Sequence, residues 1–253
     1  MGQSDVGIRS LPEIQAGGFS RMDSTIQFYE RINALLESDF VVLDFGAGRG
    51  AGHCEDHVRY RRELRNLKGK VCEVIGADID PIVTTNPSLD RAIVLEPGGD
   101  IPLADRSVQM VVSDFTFEHI ENPAHVAREI DRILAPGGWI CVRTPNRNGY
   151  VSLANRIFPD SIRSRMVSWT QPDRKKQDVF KAFYRLNTLG AIRKYFDSSR
   201  YAHYGYSWDA EPAYHANSEA LYRLFLTVHA LTPPALRTLL LIFLQKKHVP
   251  STF

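Results

Sequence analysis

The fold is decided by one stretch of the sequence, Val41-Val42-Leu43-Asp44-Phe45-Gly46-Ala47-Gly48-Arg49-Gly50. Four apolar residues around one aspartate predict a buried strand, and three glycines at every second position predict a tight turn after it. A glycine-rich turn that leaves a buried strand lets backbone N–H groups approach a ligand without interference from a Cβ atom. In an α/β sheet such a turn lies at the carboxyl ends of the strands, where ligands bind.

Strand-like and helix-like segments alternate on both sides of this stretch. The predicted strands after the first cover 71–77, 91–95, 109–113, 139–143, 201–206 and 238–245. The predicted helices cover 25–36, 55–67, 122–134 and 218–230. Such alternation predicts parallel pairing with right-handed crossovers. For 238–245 a helix is the alternative, but the short apolar run between two prolines and two lysines favours a buried last strand.

Two carboxylates bear on the kind of ligand. The spacing Gly46-x-Gly48-x-x-Ala51 fits a relaxed dinucleotide fingerprint, but Asp44 lies inside the strand, where a dinucleotide-binding protein is usually apolar. A buried carboxylate needs a partner, which a ligand ammonium would provide; capping a backbone turn is the alternative. Asp78, at the end of the next strand, can accept hydrogen bonds from both ribose hydroxyls or cap the following helix. Asp80 is the better candidate for that cap.

A resemblance to a known family rests on five motifs that occur in the right order and spacing over residues 40–146. They are residues 42–50, 74–80, 101–114, 117–120 (Phe117-Glu118-His119-Ile120) and 132–138. This set resembles the class I S-adenosylmethionine-dependent methyltransferases, specifically the methyltransferase type 11-like family. The resemblance implies a Rossmann-like, doubly wound, seven-stranded, mostly parallel sheet with an antiparallel last strand.

The resemblance also implies S-adenosylmethionine as the cofactor and gives roles to the residues that match the motifs. Asp44 would hold the cofactor ammonium directly or through water, and Asp78 would bind the ribose hydroxyls. Asp114 would lie beside the reacting methyl. The full set of implied cofactor-binding residues is Asp44, Gly46, Ala47, Gly48, Gly50, Asp78, Ile79, Glu96, Asp100, Asp114 and Phe115.

The adenine contact departs from the family pattern. The family often has Gly-Asp about five residues before a Pro-Phe or Pro-Leu pair, which here is Pro102-Leu103. Glu96 is one residue from the usual distance, and Asp100 is too close to the pair. We therefore favour Glu96 for the adenine amino group and keep Asp100 as the second choice. Gln109 replaces the usual Asp at the start of the fourth strand.

Methyl transfer needs a nucleophile aligned behind the methyl group, so positioning carries much of the catalysis. A hydroxyl acceptor also needs a base to remove its proton. His119, just after the fourth strand, is the first candidate for the catalytic base; the alternative is that it bonds locally and shapes the pocket. Further candidates are Glu118 and three residues that could also contact the substrate, namely Tyr150, Asp178 and Tyr184.

Charge is uneven along a chain that is otherwise ordinary in composition: 253 residues, 43% hydrophobic, 24% charged, with a formal charge of +2. Residues 151–200 hold eleven Lys or Arg and four Asp, a net +7. The segment 147–196 is also aromatic and breaks the strand–helix alternation, so we expect it to roof the active site as a substrate lid. The charge could be a solvated surface, could receive an anionic substrate, or could contact lipid headgroups at a membrane surface.

Several functions are disfavoured by what the sequence lacks. No Asn/Asp-Pro-Pro-Tyr motif follows Asp114 and no RNA-binding module is recognisable, so no nucleic acid partner is expected. His53, Cys54 and His57 lack a fourth ligand, so no metal is expected, although the two histidines could line the cofactor pocket. Three cysteines, no signal-peptide pattern and no apolar run of ~18 residues predict a cytoplasmic protein.

We therefore expect one methyltransferase domain over 1–253. Its expected parts are an N-terminal arm and helix (1–38), a cofactor-binding core (39–146), a substrate-lid insertion (147–196) and C-terminal strands and helix (197–253). Residues 1–23 are rich in Gly and Ser, and we expect them to be loosely held.

The expected function is S-adenosylmethionine-dependent methyl transfer to a small molecule or glycan at oxygen. Three alternatives stay open: an RNA or protein methyltransferase that uses the basic segment, a nicotinamide-dependent oxidoreductase, and a non-catalytic binding protein on the same fold. The sequence leaves the oligomeric state open.

Overall fold

An eight-stranded sheet runs through the part of the chain that this computed structural model describes, namely residues 5–150, 152–153, 181–212, 215 and 217–248. The strands are β1 (Val41–Phe45), β2 (Glu73–Asp78), β3 (Arg91–Val94), β4 (Val108–Asp114), β5 (Leu134–Pro145), β6 (Tyr201–His203), β7 (Tyr206–Trp208) and β8 (Leu239–Lys246). Their order is β3-β2-β1-β4-β5-β8-β6, with β7 also paired to β8. The first five pair in parallel and β8 runs antiparallel to β5. The predicted fold class is confirmed, including the buried last strand.

The predicted strand count of seven is wrong by one, because the sixth strand is interrupted. Tyr201 pairs with Lys246 and Tyr206 pairs with Leu241, so β6 and β7 keep a single register against β8. Gly205 lies between them, and a Cβ atom there would come within 3.4 Å of the Ile242 Cα. The two short strands are therefore one broken strand on the edge of the sheet.

Helices cover both faces of this sheet. They are α1 (Asp5–Ser10), α2 (Ser24–Leu35), α3 (Ala51–Cys54), α4 (Arg59–Arg65), α5 (Pro123–Ile133), α6 (Leu189–Tyr195) and α7 (Glu219–Leu231). The start of α2 is fixed by Asp23, whose carboxylate accepts the N–H groups of Thr25 and Ile26 at 2.9 and 3.1 Å. In the described residues no helix combines the length and the apolar character needed to cross a bilayer.

The predicted loosely held arm is instead packed against the C-terminal helix. Val6, Leu11 and Ile14 are buried and form a small core cluster with Tyr222 of α7. The Gly- and Ser-rich composition of the arm concealed these apolar side chains, which α7 buries from the far end of the chain.

The predicted lid is described only in part. Residues 147–150, 152–153 and 181–196 are described, and they include α6. Residues 154–180, with Asp178 and much of the basic charge, lie outside the described part of the chain.

Candidate active site

Three carboxylates share one face of the sheet at the ends of three neighbouring strands. Asp44 of β1 is in register with Gly76 of β2 and with Val112 of β4. Asp78 and Asp114 each follow two residues later on those strands. Because alternate residues of a strand point to the same face, all three carboxylates point to the face that α2 covers.

The glycine turn after β1 has the left-handed backbone that only glycine adopts at little cost: φ is +83° at Gly46, +51° at Gly48 and +74° at Gly50. A Cβ atom at Gly46 would lie 2.0 Å from the Thr116 Oγ1, and one at Gly50 would lie 2.4 Å from the Asn86 Oδ1. At Gly48 a Cβ atom would meet nothing within 4 Å. The turn is thus packed at both ends and open in the middle, as a cradle for a ligand requires.

Asp78 ties the end of β2 to this turn. Its carboxylate accepts the Gly48 N–H and the Asp80 N–H, each at 2.9 Å. Asp80 provides the cap of the following 3-10 turn by accepting the Ile82 N–H at 3.0 Å. The helix-cap alternative therefore belongs to Asp80, and Asp78 faces the glycine turn.

Asp114 is held by a buried arginine that the sequence analysis did not single out. Arg143, the residue in register with Asp114 on β5, is 2% exposed and donates two hydrogen bonds to its carboxylate, both at 2.7 Å. Arg143 also donates to the Thr25 Oγ1 at 2.9 Å, and the Tyr29 hydroxyl donates to Asp114 at 3.3 Å. Burial raises the pKa of Asp114, but the charge and hydrogen bonds of Arg143 outweigh burial and hold that pKa below its usual value. A charged residue inside the apolar run of β5 was the signal that could have found this pair.

Asp44 has no such partner. Among the described residues no side chain or backbone N–H donates a hydrogen bond to its carboxylate. Burial, followed by the negative charges of Asp114 and Asp78, raises the pKa of Asp44 to about 7. The charged form of Asp44 therefore lacks a cation, and its chemistry fits the ammonium of an amino-acid ligand.

A second titratable pair follows β4, on the opposite side of the strand end. Glu118 is buried and accepts a hydrogen bond from the Thr144 hydroxyl at 2.9 Å. Burial is the main reason that the pKa of Glu118 rises to about 7. The His119 Nε2 lies 4.0 Å from the Glu118 Oε1, and the His119 Nδ1 lies 2.9 Å from the Lys181 carbonyl oxygen. Since a carbonyl can only accept, we assign the proton of the neutral ring to Nδ1 and the lone pair to Nε2.

The other predicted cofactor residues lie at the same edge of the sheet. Glu96 and Asp100 are exposed on the turn after β3, and Asp100 lies 3.8 Å from the His125 Nε2. Ile79 follows β2 and is exposed. Phe115 has a φ of +56° and places its ring against the Arg143 guanidinium, 4.8 Å from ring centre to Cζ.

Two of the three predicted substrate residues, Tyr150 and Tyr184, lie in the described part of the chain. Tyr150 stacks on Phe225 of α7 at 5.7 Å, and its hydroxyl lies 3.1 Å from the His229 Nε2. Tyr184 donates its backbone N–H to the Glu118 carbonyl oxygen at 3.1 Å. Asp178 lies outside the described residues. No group of three or more metal-ligating side chains occurs in the described part of the chain.

Comparison with known proteins agrees with this geometry. A family model for a methyltransferase domain matches residues 18–197. No curated protein matches the chain by sequence.

Many solved structures share the fold. The Haloferax volcanii methyltransferase structure determined with the Trm112 methyltransferase activator has 18% identity, a TM-score of 0.51, and coverage of 96% of this chain and 94% of that one. A Galdieria sulphuraria protein assigned as a sarcosine dimethylglycine methyltransferase has 16% identity, a TM-score of 0.52 and coverage of 90% and 86%. The YcgJ protein of Bacillus subtilis has 13% identity, a TM-score of 0.53 and coverage of 88% and 99%. At such identities these likenesses bear on the fold alone.

The family model covers well over half of the chain, and the glycine turn and carboxylates that define the fold's ligand edge lie within it. The chain therefore belongs to the class I S-adenosylmethionine-dependent methyltransferases and is an enzyme that uses S-adenosylmethionine as its cofactor.

Proposed function

We propose that this protein transfers the methyl group of S-adenosylmethionine to a hydroxyl of a small molecule or glycan. The observation that carries the proposed site is the state of Asp44, which is the one carboxylate of the three on its face without a hydrogen-bond donor in the described structure. In this proposal Asp44 holds the cofactor ammonium, and the backbone of the turn from Gly46 to Gly50 faces the methionine part. Asp78 and Ile79 contact the ribose.

The adenine end of the proposed site lies after β3. Glu96 receives the adenine amino group in this proposal, with Asp100 as the alternative. Both side chains are exposed and can reach a ligand at this edge. Asp114 and Phe115 complete the site next to the transferred methyl, where Arg143 fixes the position of both.

The cofactor supplies a methyl group on a sulfonium, whose thioether is the leaving group. What the chain must add is alignment of the acceptor oxygen and removal of its proton. His119 is suited to the second task because the Lys181 carbonyl holds the ring with its lone pair on Nε2. The carboxylate of Glu118, 4.0 Å from that nitrogen, stabilises the ring once it is protonated.

The acceptor class is supported by the surface beside this pair. Lys181 and Arg185 are both exposed and lie over the Phe183 ring at 4.8 and 5.3 Å. An aromatic ring flanked by cations suits a sugar ring or an anionic small molecule. A protein partner is a second candidate, since the Haloferax volcanii relative was solved with an activator. We also propose a cytoplasmic location, because the sequence has only three cysteines, which is typical of a reducing compartment.

The test is release of S-adenosylhomocysteine when purified protein is given the cofactor and a panel of hydroxyl-bearing glycans and small molecules. His119→Gln should lower turnover about 100-fold, within the range of a lost general base, while S-adenosylhomocysteine affinity stays within about twofold. Glu118→Gln should also lower turnover, because the imidazolium formed in the reaction loses its neighbouring carboxylate. Normal turnover in His119→Gln would make that residue structural.

A binding assay tests the remaining alternative for the acceptor. An RNA methyltransferase that uses the basic segment would bind RNA with an affinity that falls steeply with salt.

A further inference from the structure

One face of α7 exposes apolar side chains that the fold does not use. Leu224, Val228 and Leu231 recur at helical spacing, and Leu224 and Leu231 are 56% and 79% exposed. A stripe of this kind on a helix normally faces a core. The helix α7 packs against the rest of the domain through other side chains, among them Tyr222 and His229, which are both buried.

Two further exposed leucines lie on segments that are joined to α7. Leu236 lies in the 3-10 turn that follows α7, and Leu153 lies just after the Tyr150 loop that contacts α7. We call these five side chains the α7 apolar surface: Leu153, Leu224, Val228, Leu231 and Leu236. Exposed apolar side chains that are grouped in this way mark an interaction site more often than single ones do.

The surface adjoins the edge of the sheet that carries the proposed active site. Tyr150 follows β5 and binds α7 through its stack on Phe225 and its contact with His229. The Asn146 amide donates to the carbonyl oxygens of Ala235 and Arg237 at 3.0 and 2.7 Å. The carboxyl end of β5 is thus joined directly to α7 and the turn after it.

Arginine side chains lie on the segments that carry these leucines. Arg223 is exposed on α7, the half-buried Arg237 directly follows Leu236, and Arg147 is exposed on the adjoining loop. These arginines outnumber the acids that they contact, since Glu219 pairs with both Arg9 and Arg223, and buried Asp209 lies 3.8 Å from Arg237. A surface of this kind is complementary to an anionic bilayer, because the leucines can enter the apolar interior while the arginines contact the anionic headgroups.

We propose that the α7 apolar surface docks this enzyme on an anionic lipid membrane, with the carboxyl edge of the sheet beside the bilayer. A second copy of the chain is the less suitable occupant, because pairing two copies through this face would bring Arg223 and Arg237 of one copy near the same cations of the other. Docking goes beyond the proposed methyl transfer and can be measured without any acceptor.

The experiment is co-sedimentation of the full chain with vesicles of phosphatidylcholine containing about 30 mol% phosphatidylglycerol, and with phosphatidylcholine alone. The Leu224→Asp/Leu231→Asp double variant should bind the mixed vesicles about 10- to 100-fold more weakly, since charges replace two leucines that enter the bilayer in this proposal. The Tyr204→Asp variant is the matched control: Tyr204 is 55% exposed but lies between β6 and β7, and its substitution should leave binding unchanged.

A double variant that lacks two arginines tests whether the protein prefers anionic lipid. Arg223→Gln/Arg237→Gln should weaken binding to the mixed vesicles several-fold and reduce the preference for phosphatidylglycerol. All variants should keep the S-adenosylhomocysteine affinity of the wild type, which checks that they fold.

Three outcomes would overturn the proposal. The first is wild-type protein that sediments with neither kind of vesicle. The second is a leucine double variant that binds the mixed vesicles like the wild type. The third is a wild-type dimer in light scattering that does not bind vesicles and that the leucine double variant converts to a monomer, which would assign the surface to a second copy.

Discussion

Replacing Asp44 with asparagine should stabilise the ligand-free protein at neutral pH. The pKa of Asp44 is raised to about 7, against about 3.9 in an unfolded chain. Between those values the folded state binds the extra proton, so the free energy of unfolding falls as pH rises from about 4 to 7. Three pKa units at ~1.4 kcal/mol each set a ceiling of ~4 kcal/mol. Because Asp44 keeps some contact with solvent, we expect about 1–3 kcal/mol.

The same substitution should weaken one class of ligand only. S-adenosylhomocysteine carries the amino-acid ammonium, whereas 5′-methylthioadenosine has the adenosine and thioether but no amino acid. Asp44→Asn should lower S-adenosylhomocysteine affinity about 10- to 100-fold, the scale of a hydrogen bond between charged groups, and leave 5′-methylthioadenosine affinity within about twofold. Wild-type affinity for S-adenosylhomocysteine should rise between pH 5 and 7, as Asp44 ionises.

Urea unfolding at pH 5, 7 and 8 and calorimetric titration of both ligands measure these effects. Asp78→Asn is the matched control, because the ribose that Asp78 is proposed to bind is present in both ligands and both should weaken together. The reasoning is refuted if Asp44→Asn destabilises the ligand-free protein at pH 8. It is equally refuted if Asp44→Asn weakens the two ligands by the same factor.

Two further predictions concern the glycine turn and the ion pair between Arg143 and Asp114, and urea unfolding measures both. Gly46→Ala should lower the free energy of unfolding by about 2 kcal/mol or more, since φ is +83° and the new Cβ would lie 2.0 Å from the Thr116 Oγ1. Gly48→Ala should lower it by about 1 kcal/mol, because a Cβ atom there meets nothing within 4 Å. Equal losses in the two variants would contradict the packing argument. Arg143→Met should lower the free energy of unfolding by about 3–5 kcal/mol because it leaves the Asp114 carboxylate without its cation. The double variant with Asp114→Asn should lose clearly less stability than the sum of the two single variants. Additive costs would mean that the two side chains do not act as a pair.

Features set by neighbouring residues could be predicted from the sequence. The glycine turn, the strand before it and the carboxylates at the strand ends depend on local spacing and on the rule that parallel strands end at one edge. The last strand, β8, could also be predicted because it is a short apolar run with sharp boundaries. Its burial along nearly the whole length agrees with its place between β5 and the broken edge strand.

Features set by distant contacts could not be predicted. Val6, Leu11 and Ile14 are scattered in a Gly- and Ser-rich segment, and only the position of Tyr222 on α7 makes them a core. The interruption lies at Gly205, where a Cβ atom would come within 3.4 Å of the Ile242 Cα on β8, more than thirty residues away in the chain. The hydrophobic pattern of the N-terminal segment and that of the broken edge strand do not indicate these distant contacts.

The three carboxylates differ through contacts that the sequence does not reveal. In the sequence, Asp44, Asp78 and Asp114 are all acids in or at the end of a buried strand, and nothing near them indicates their hydrogen-bond donors. They differ because Arg143, 29 residues further along, neutralises Asp114, and because two backbone N–H groups engage Asp78. Both partners depend on strand register and turn geometry, which a single sequence does not fix.

This arrangement links affinity to the instability of the ligand-free site. Arg143 cannot also serve Asp44, because its guanidinium is committed to Asp114 and to the hydroxyls at the start of α2. The electrostatic cost at Asp44 is therefore relieved by a proton or by an external cation. A ligand ammonium removes this cost when it binds, and the free energy that is released adds to the affinity. Asp44→Asn removes the cost in the empty protein already, so this variant must bind the amino-acid part of the cofactor less tightly.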